Sequence, residues 1–125
     1  MNTKRAVCGL LFHDNKILSV SRKSNHNDFN LFGGKLENDE TWKQALIREC
    51  YEETGYSVNI IPVYYEAMCG DTLVRTYICV AADYSLEYPE RDLAVVKYSS
   101  TSELTSGSFS EYNSKLFKHF NIDKE

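Results

Sequence analysis

The chain has 125 residues, a formal net charge of −4 and 42% apolar residues. That length holds one domain, 1–125, with a core of its own, and the apolar share excludes an intrinsically disordered chain. The negative balance argues against a protein that coats nucleic acid, which would carry a basic patch, but it leaves room for an anionic small molecule, because a bound cation reverses the local sign.

In chain order, "AVCGLLF" (Ala6 to Phe12) and "KILSVSR" (Lys16 to Arg22) are apolar-rich runs on either side of "HDN". They read as a hairpin with Asp14 and Asn15 at the turn. "SNHNDFN" has loop chemistry and leads to the pair Gly33-Gly34. A helix then starts, with Thr41 as N-cap and Gln44 completing a capping box. Gly55 ends it as a C′ glycine. "YSVNIIPVYYEAM" and "TLVRTYICVAA" are β-rich and separated by "CGD", which predicts a second antiparallel pair. "DLAVVKYS" reads as a further short strand. Tyr112, Leu116 and Phe120 fall at helical spacing in "SEYNSKLFKHF", which predicts a terminal helix. Mixed strands and helices of this kind predict an α/β or α+β sandwich with helices covering a mixed sheet.

The cysteines Cys8, Cys50, Cys69 and Cys79 form no C-x-x-C pair and sit among apolar residues, which predicts reduced thiols. The first residues lack a signal-peptide core and no run is long enough to cross a membrane. The expected location is the cytoplasm.

The helix carries the chemistry. At about 100° per residue, Glu49, Glu52 and Glu53 share an arc of roughly 100°. Trp42, Leu46, Ile47, Cys50 and Tyr51 occupy roughly the next half-turn and are expected to pack on the sheet. Carboxylates at i, i+3 and i+4 repel by some tenths of a kcal/mol per pair. A solvated acidic face and a site for a hard divalent cation both fit this triplet. Magnesium takes oxygen ligands, often carboxylates plus substrate phosphates. Zinc is disfavoured without a His/Cys set nearby.

Gly34, Glu40, Arg48, Glu49, Glu52, Glu53 and Gly55 stand at the spacing G-x5-E-x7-R-E-x-x-E-E-x-G. This resembles the signature of the Nudix hydrolases, whose two bulky aliphatic positions are Cys50 and Tyr56 here. At about 6–7% usage per residue type, seven fixed matches arise by chance roughly once in 10⁸ windows. The resemblance implies an α/β/α sandwich with a mixed curved sheet between helices. It implies a MutT-like enzyme that hydrolyses a nucleoside diphosphate linked to another group X, with Mg²⁺, or Mn²⁺, as cofactor. By the same resemblance Glu49, Glu52, Glu53 and the Gly33 carbonyl are metal ligands, with Glu90 or Asp92 supplying an extra acid from a later loop. Glu49 is the expected general base acting through a water, with Arg48 and Glu52 beside it as catalytic groups. Arg48, permanently protonated, is expected to orient Glu49 or Glu40. Glu40 is either that partner or a first-turn helix charge.

The group X stays open. Arg22 and Lys23 follow the second strand, where relatives place a phosphate-binding base; a solvated strand end fits equally. Phe32 replaces the usual proline before the glycine pair, and Asn30 precedes it by two. That loop is similar to that of oxidised purine nucleoside triphosphate hydrolases, in which the matching asparagine reads a base edge. An amide, both donor and acceptor, suits that work. Asn30, Phe32, Gly34, Lys35 and Arg22 are therefore the candidate substrate contacts, with Phe29 and Phe32 as a possible wall for the ring. The expected partner is a purine nucleotide, with no nucleic acid or membrane, in a monomer or homodimer. The competing substrates are ADP-ribose, dinucleoside polyphosphates and FAD or NADH, and the competing class is a nucleotide-sensing domain without turnover.

Overall fold

A computed structural model describes residues 4–84 and 95–122. The elements are β1 (Lys4–His13), β2 (Lys16–Arg22), β3 (Asn25–Leu31), β4 (Gly33–Lys35), α1 (Trp42–Thr54), β5 (Tyr56–Cys69), β6 (Thr72–Tyr84), β7 (Val96–Ser99), α2 (Thr101–Leu104) and α3 (Ser110–His119). The strands form a curved mixed sheet in the order β3-β2-β1-β6-β5, with β4 also paired to β1 and β7 to β2. β1 is the hub. It runs parallel to β6, from Lys4 opposite Thr72 to Leu11 opposite Cys79. Along its other edge it meets β4 at Ala6 to Cys8 and then β2 at Phe12 and His13, both antiparallel.

The two expected hairpins form. Asp14 and Asn15 take φ of 49° and 64°, the left-handed pair that a two-residue turn needs to match strand twist. Gly70, at φ 62°, turns β5 into β6. "SNHNDFN" departs from expectation. Most of it is strand β3, paired antiparallel with β2 from Ser19–Leu31 to Arg22–Asn25. Its polar side chains suit a strand at one end of the sheet order, exposed for its first three residues, and pairing to β2 overrides a low β propensity. The helix α2 was also unforeseen, although Ser100 and Glu103 make a reciprocal capping box at its start, which the S-x-x-E pattern could have shown.

Alternation along β1 and β2 splits the core in two. Val7, Leu11, Leu18 and Val20 pack with Leu46 and Cys50 of α1 on one face. Leu10 and Ile17 pack with Leu104, Tyr112, Leu116 and Phe117 from α2 and α3 on the other. Helices thus cover both faces of the sheet. In α1 the side facing the sheet is narrower than its apolar residues suggested. Ala45, Leu46, Cys50 and Thr54 are buried, whereas Ile47 and Tyr51 lie exposed. Those two positions rotate past the sheet edge of the helix towards solvent.

All four cysteines are free; Cys50 and Cys79 are buried, Cys8 and Cys69 partly so. Burial pushes the Cys8 thiol up to about 12, helped by the nearby Glu53, Cys69 and Glu49. It is therefore a neutral thiol at physiological pH and no nucleophile.

Candidate active site

The helix α1 is held at both ends as its sequence predicts. Thr41 accepts from the Gln44 backbone N–H and Gln44 answers to the Thr41 N–H. Gly55, at φ 79°, donates its N–H to the Tyr51 carbonyl. This fixes the rotation of the helix, and with it the direction of its glutamates.

Arg48 is the centre of the charge network. Its Nε and Nη2 form a fork on the Glu40 carboxylate at 2.7 and 3.0 Å. Nη1 reaches Glu49 at 2.8 Å and Glu52 at 3.2 Å. Nη2 also donates to the Lys35 carbonyl at 3.2 Å. Of the two alternatives for Glu40, the geometry selects the orienting one. Glu40 precedes the N-cap, and the first turn of α1 holds no acidic residue. Its Oε1 also accepts from the Glu37 N–H, and the Arg48 fork holds its carboxyl below the usual range. The planar guanidinium thus locks one side of the site and carries the orientation on to Glu49.

Gly33 and Gly34 form the other side. A Cβ at Gly33 would lie 2.1 Å from the Val7 carbonyl oxygen, and φ is 150°. Only glycine lets β4 approach β1 this closely. A Cβ at Gly34 would lie 2.6 Å from the Cδ and Oε1 of Glu49. Glu53 Oε1 accepts the Gly33 N–H at 2.8 Å. Glu49 and Glu53 therefore both bear on the glycine pair, whereas Glu52 is half exposed. Burial raises the Glu49 carboxyl, with Glu52 and Glu40 adding to the rise and Arg48 opposing it. Among the described residues no three His, Cys, Asp or Glu side chains are gathered around one point. The carboxylates turn instead to Arg48 and to backbone N–H groups. The donor set itself, three carboxylates on one side of α1 beside the half-buried glycine backbone, is all oxygen and anionic, and fits a hard divalent cation.

Behind the glycine pair lies a cavity of about 270 Å³, lined by Cys8, Asn30, Gly33, Gly34, Tyr112 and Asn113 among others. Lys35 also borders it. Asn30 is in β3, not in a loop, and its Oδ1 accepts from Asn113 Nδ2. Phe32 corrects an expectation. It is fully buried, packed in the α1-side core, with its ring filling the space over Gly9, where a Cβ would lie 2.2 Å from Cζ. It has no surface to offer a substrate ring. Phe29 packs towards the α3-side core and lies under Lys97. Arg22 is exposed and 3.8 Å from Asp28, a residue latched to Ser108; no described contact brings it to the carboxylates or the cavity. Glu90 and Asp92 lie outside the described residues. Asn113 escaped the sequence reading, although a polar residue one position after Tyr112 and three before Leu116 falls on the buried side of α3, and that is a signal.

The NUDIX domain family profile matches residues 2–113. An ADP-ribose pyrophosphatase of Methanocaldococcus jannaschii is 48% identical over 52 residues, 40% of this chain and 31% of that protein, so the chain spans about a third of that relative. A Nudix hydrolase from Nitrosomonas europaea superposes with a TM-score of 0.74 at 20% identity, over 98% of this chain and 93% of that one. An ADP-ribose pyrophosphatase from Streptococcus suis gives 0.74 at 15% identity, over 99% and 96%. Among the described residues no helix is long and apolar enough to cross a membrane. Nudix hydrolases act on small nucleotide substrates and in general depend on divalent metals. With the seven fixed signature positions running from Gly34 through α1 to Gly55 and the family model matching residues 2–113, this chain belongs to the Nudix family.

Proposed function

We propose that the chain is a Mg²⁺-dependent nucleoside triphosphate pyrophosphatase of MutT type acting on a purine nucleotide, including an oxidised one. The observation that carries this reading is the shared wall. One face of the glycine pair meets Glu49 and Glu53, and the pair lines the cavity that holds Asn30. A nucleotide lying across Gly33-Gly34 would have its phosphates at the acids and its base in the cavity. Glu49, Glu52, Glu53 and the Gly33 carbonyl would hold the metal. When bound, such an ion neutralises phosphate oxygens and acidifies water. Glu49 takes the proton of the attacking water, and Arg48 keeps its carboxylate aimed. Lys35, at the cavity border, would meet an anionic group of the substrate.

A second reading is favoured by the Methanocaldococcus jannaschii match: hydrolysis of ADP-ribose. Incubation with purine and pyrimidine triphosphates, an oxidised purine triphosphate and ADP-ribose, each with Mg²⁺ and with Mn²⁺, separates the two. Chromatography of the products identifies nucleoside monophosphate with pyrophosphate, or AMP with ribose 5-phosphate. Preferential cleavage of ADP-ribose would replace the first reading with the second.

A further inference from the structure

The segment 36–41 links β4 to α1 and carries Glu37 and Glu40, both of which reach Arg48. A turn from the Glu40 N–H to the Glu37 carbonyl shapes its middle. Its two ends are tied to the sheet. At the start, the Leu36 N–H donates to the Arg5 carbonyl at 3.1 Å. At the end stands Trp42, the first residue of α1, whose ring meets cations from two strands. The Arg75 guanidinium of β6 lies 4.4 Å from the ring centre, and that of Arg5 in β1 lies 5.6 Å from it. Arg75 is also 4.1 Å from the centre of the Tyr64 ring. Its Nη2 donates to Glu66 at 3.0 Å and its Nη1 to the Tyr77 hydroxyl at 3.3 Å. Its Nε is buried with no hydrogen-bond partner, and a buried donor left unmade is costly. The guanidinium gives up that bond to stay over two rings, where a poorly hydrated cation is drawn to the π face.

We propose that Arg75 is a positioning residue for the hydrolytic site: by holding the Trp42 ring it fixes the segment that presents Glu40 to Arg48, and through Arg48 it keeps Glu49 in place. The path is short and contiguous. Glu40 stands two residues before Trp42 and takes the Arg48 fork, and Arg48 Nη1 reaches Glu49 at 2.8 Å. The ring of Trp42 also packs on the α1-side core, so the clamp sets the start of the helix against the same sheet that carries the glycine pair. The proposal rests on the hydrolase reading above only for its turnover readout.

Two readouts need neither metal nor substrate. Trp42 is the single tryptophan of the chain, so its fluorescence anisotropy reports whether the ring is held, and it should drop in R75M, which removes the cation but keeps an unbranched side chain. Hydrogen exchange of the Arg48 Nε–H, followed by NMR beside the Leu46 amide of the same helix, reports whether the fork on Glu40 is held. It should quicken at least about tenfold relative to Leu46 in R75M and in W42L, and stay within about threefold of wild type in W42F, which keeps a ring. With the nucleotide that the wild type cleaves best, R75M should lower kcat about tenfold and leave KM within about threefold. In a Glu40→Ala background R75M should cost less than about twofold more, because the path it acts through is already broken. Unchanged Trp42 anisotropy in R75M, Arg48 exchange that rises only in step with Leu46, or an undiminished kcat loss beside Glu40→Ala overturns the positioning role. Where R75M does not fold, W42L against W42F decides on the exchange and kcat readouts. Failure to cleave any tested nucleotide would overturn the substrate reading and leave the exchange measurement to decide the role of Arg75.

Discussion

Replacing Gly34 by alanine separates the site from the scaffold. The added Cβ would lie 2.6 Å from the Glu49 Cδ and Oε1, whereas ordinary contact begins near 3.4 Å. The carboxylate must retreat by roughly 0.8 Å, and a misplacement near 1 Å costs about a hundredfold in rate. The atoms displaced are the end of a side chain, not backbone. Gly34 also lacks the positive φ that would strain alanine, and removing a glycine from the unfolded chain stabilises by about 0.4–1 kcal/mol. G34A should therefore melt within a few degrees of wild type while kcat falls about a hundredfold. Gly33→Ala is the contrast. There the Cβ meets a backbone oxygen at 2.1 Å and φ is 150°, so stability should drop by at least about 2 kcal/mol. Steady-state turnover and thermal melts on both variants give the comparison. Folded G34A with kcat within threefold of wild type would refute the claim that Glu49 works from its position against the glycine pair.

Glu52→Gln or Glu53→Gln should nearly abolish turnover, with the metal-free melting temperature within a few degrees of wild type, because each relieves i, i+3 and i+4 repulsion but weakens a charge-assisted hydrogen bond, from Arg48 to Glu52 or from the Gly33 N–H to Glu53; full activity in either would remove that residue from the metal set. Glu49→Gln keeps shape but cannot accept a proton, and should lower kcat by at least about a hundredfold; a change under about threefold would move the base elsewhere. Asp28 is held below its usual pKa mainly by the Ser108 hydroxyl. A depressed carboxyl contributes stability above its unfolded pKa and loses it as pH falls through the folded value. Acid melts from pH 5 downwards should thus show a shallower decline for Asp28→Asn than for wild type, and parallel curves would count against the latch.

The acid side of the site was legible because its geometry is local. Seven residues within one helix and its approach fix the Arg48 network, and a helix with both caps in place turns spacing directly into direction. Even there the sequence left Glu40 between two roles, and only the fork at 2.7 and 3.0 Å decides between them. Phe32 shows the opposite case. Beside a glycine pair it looked available to a ligand, but strand β1 provides Gly9 directly beneath its ring. That complementarity joins residues 23 positions apart, and no local pattern carries it.

The cavity side depends on contacts longer still, which is why β3, α2 and Asn113 were missed together. Asn30 and Asn113 meet across 83 residues, and the carbonyl that orients the second belongs to a helix of four residues. Further latches tie α3 and the turn before it to the sheet: Asp28 of β3 takes the Ser108 hydroxyl just before α3, and Thr76 of β6 shares a hydrogen bond with Tyr112 at 2.7 Å. The three glutamates come from one helix capped at its start and its end. The paired amides Asn30 and Asn113 come from two segments that the fold brings together, so each can change without disturbing the glutamates. Selectivity in this protein should for that reason respond to substitutions around β3 and α3 that leave Glu49, Glu52 and Glu53 untouched.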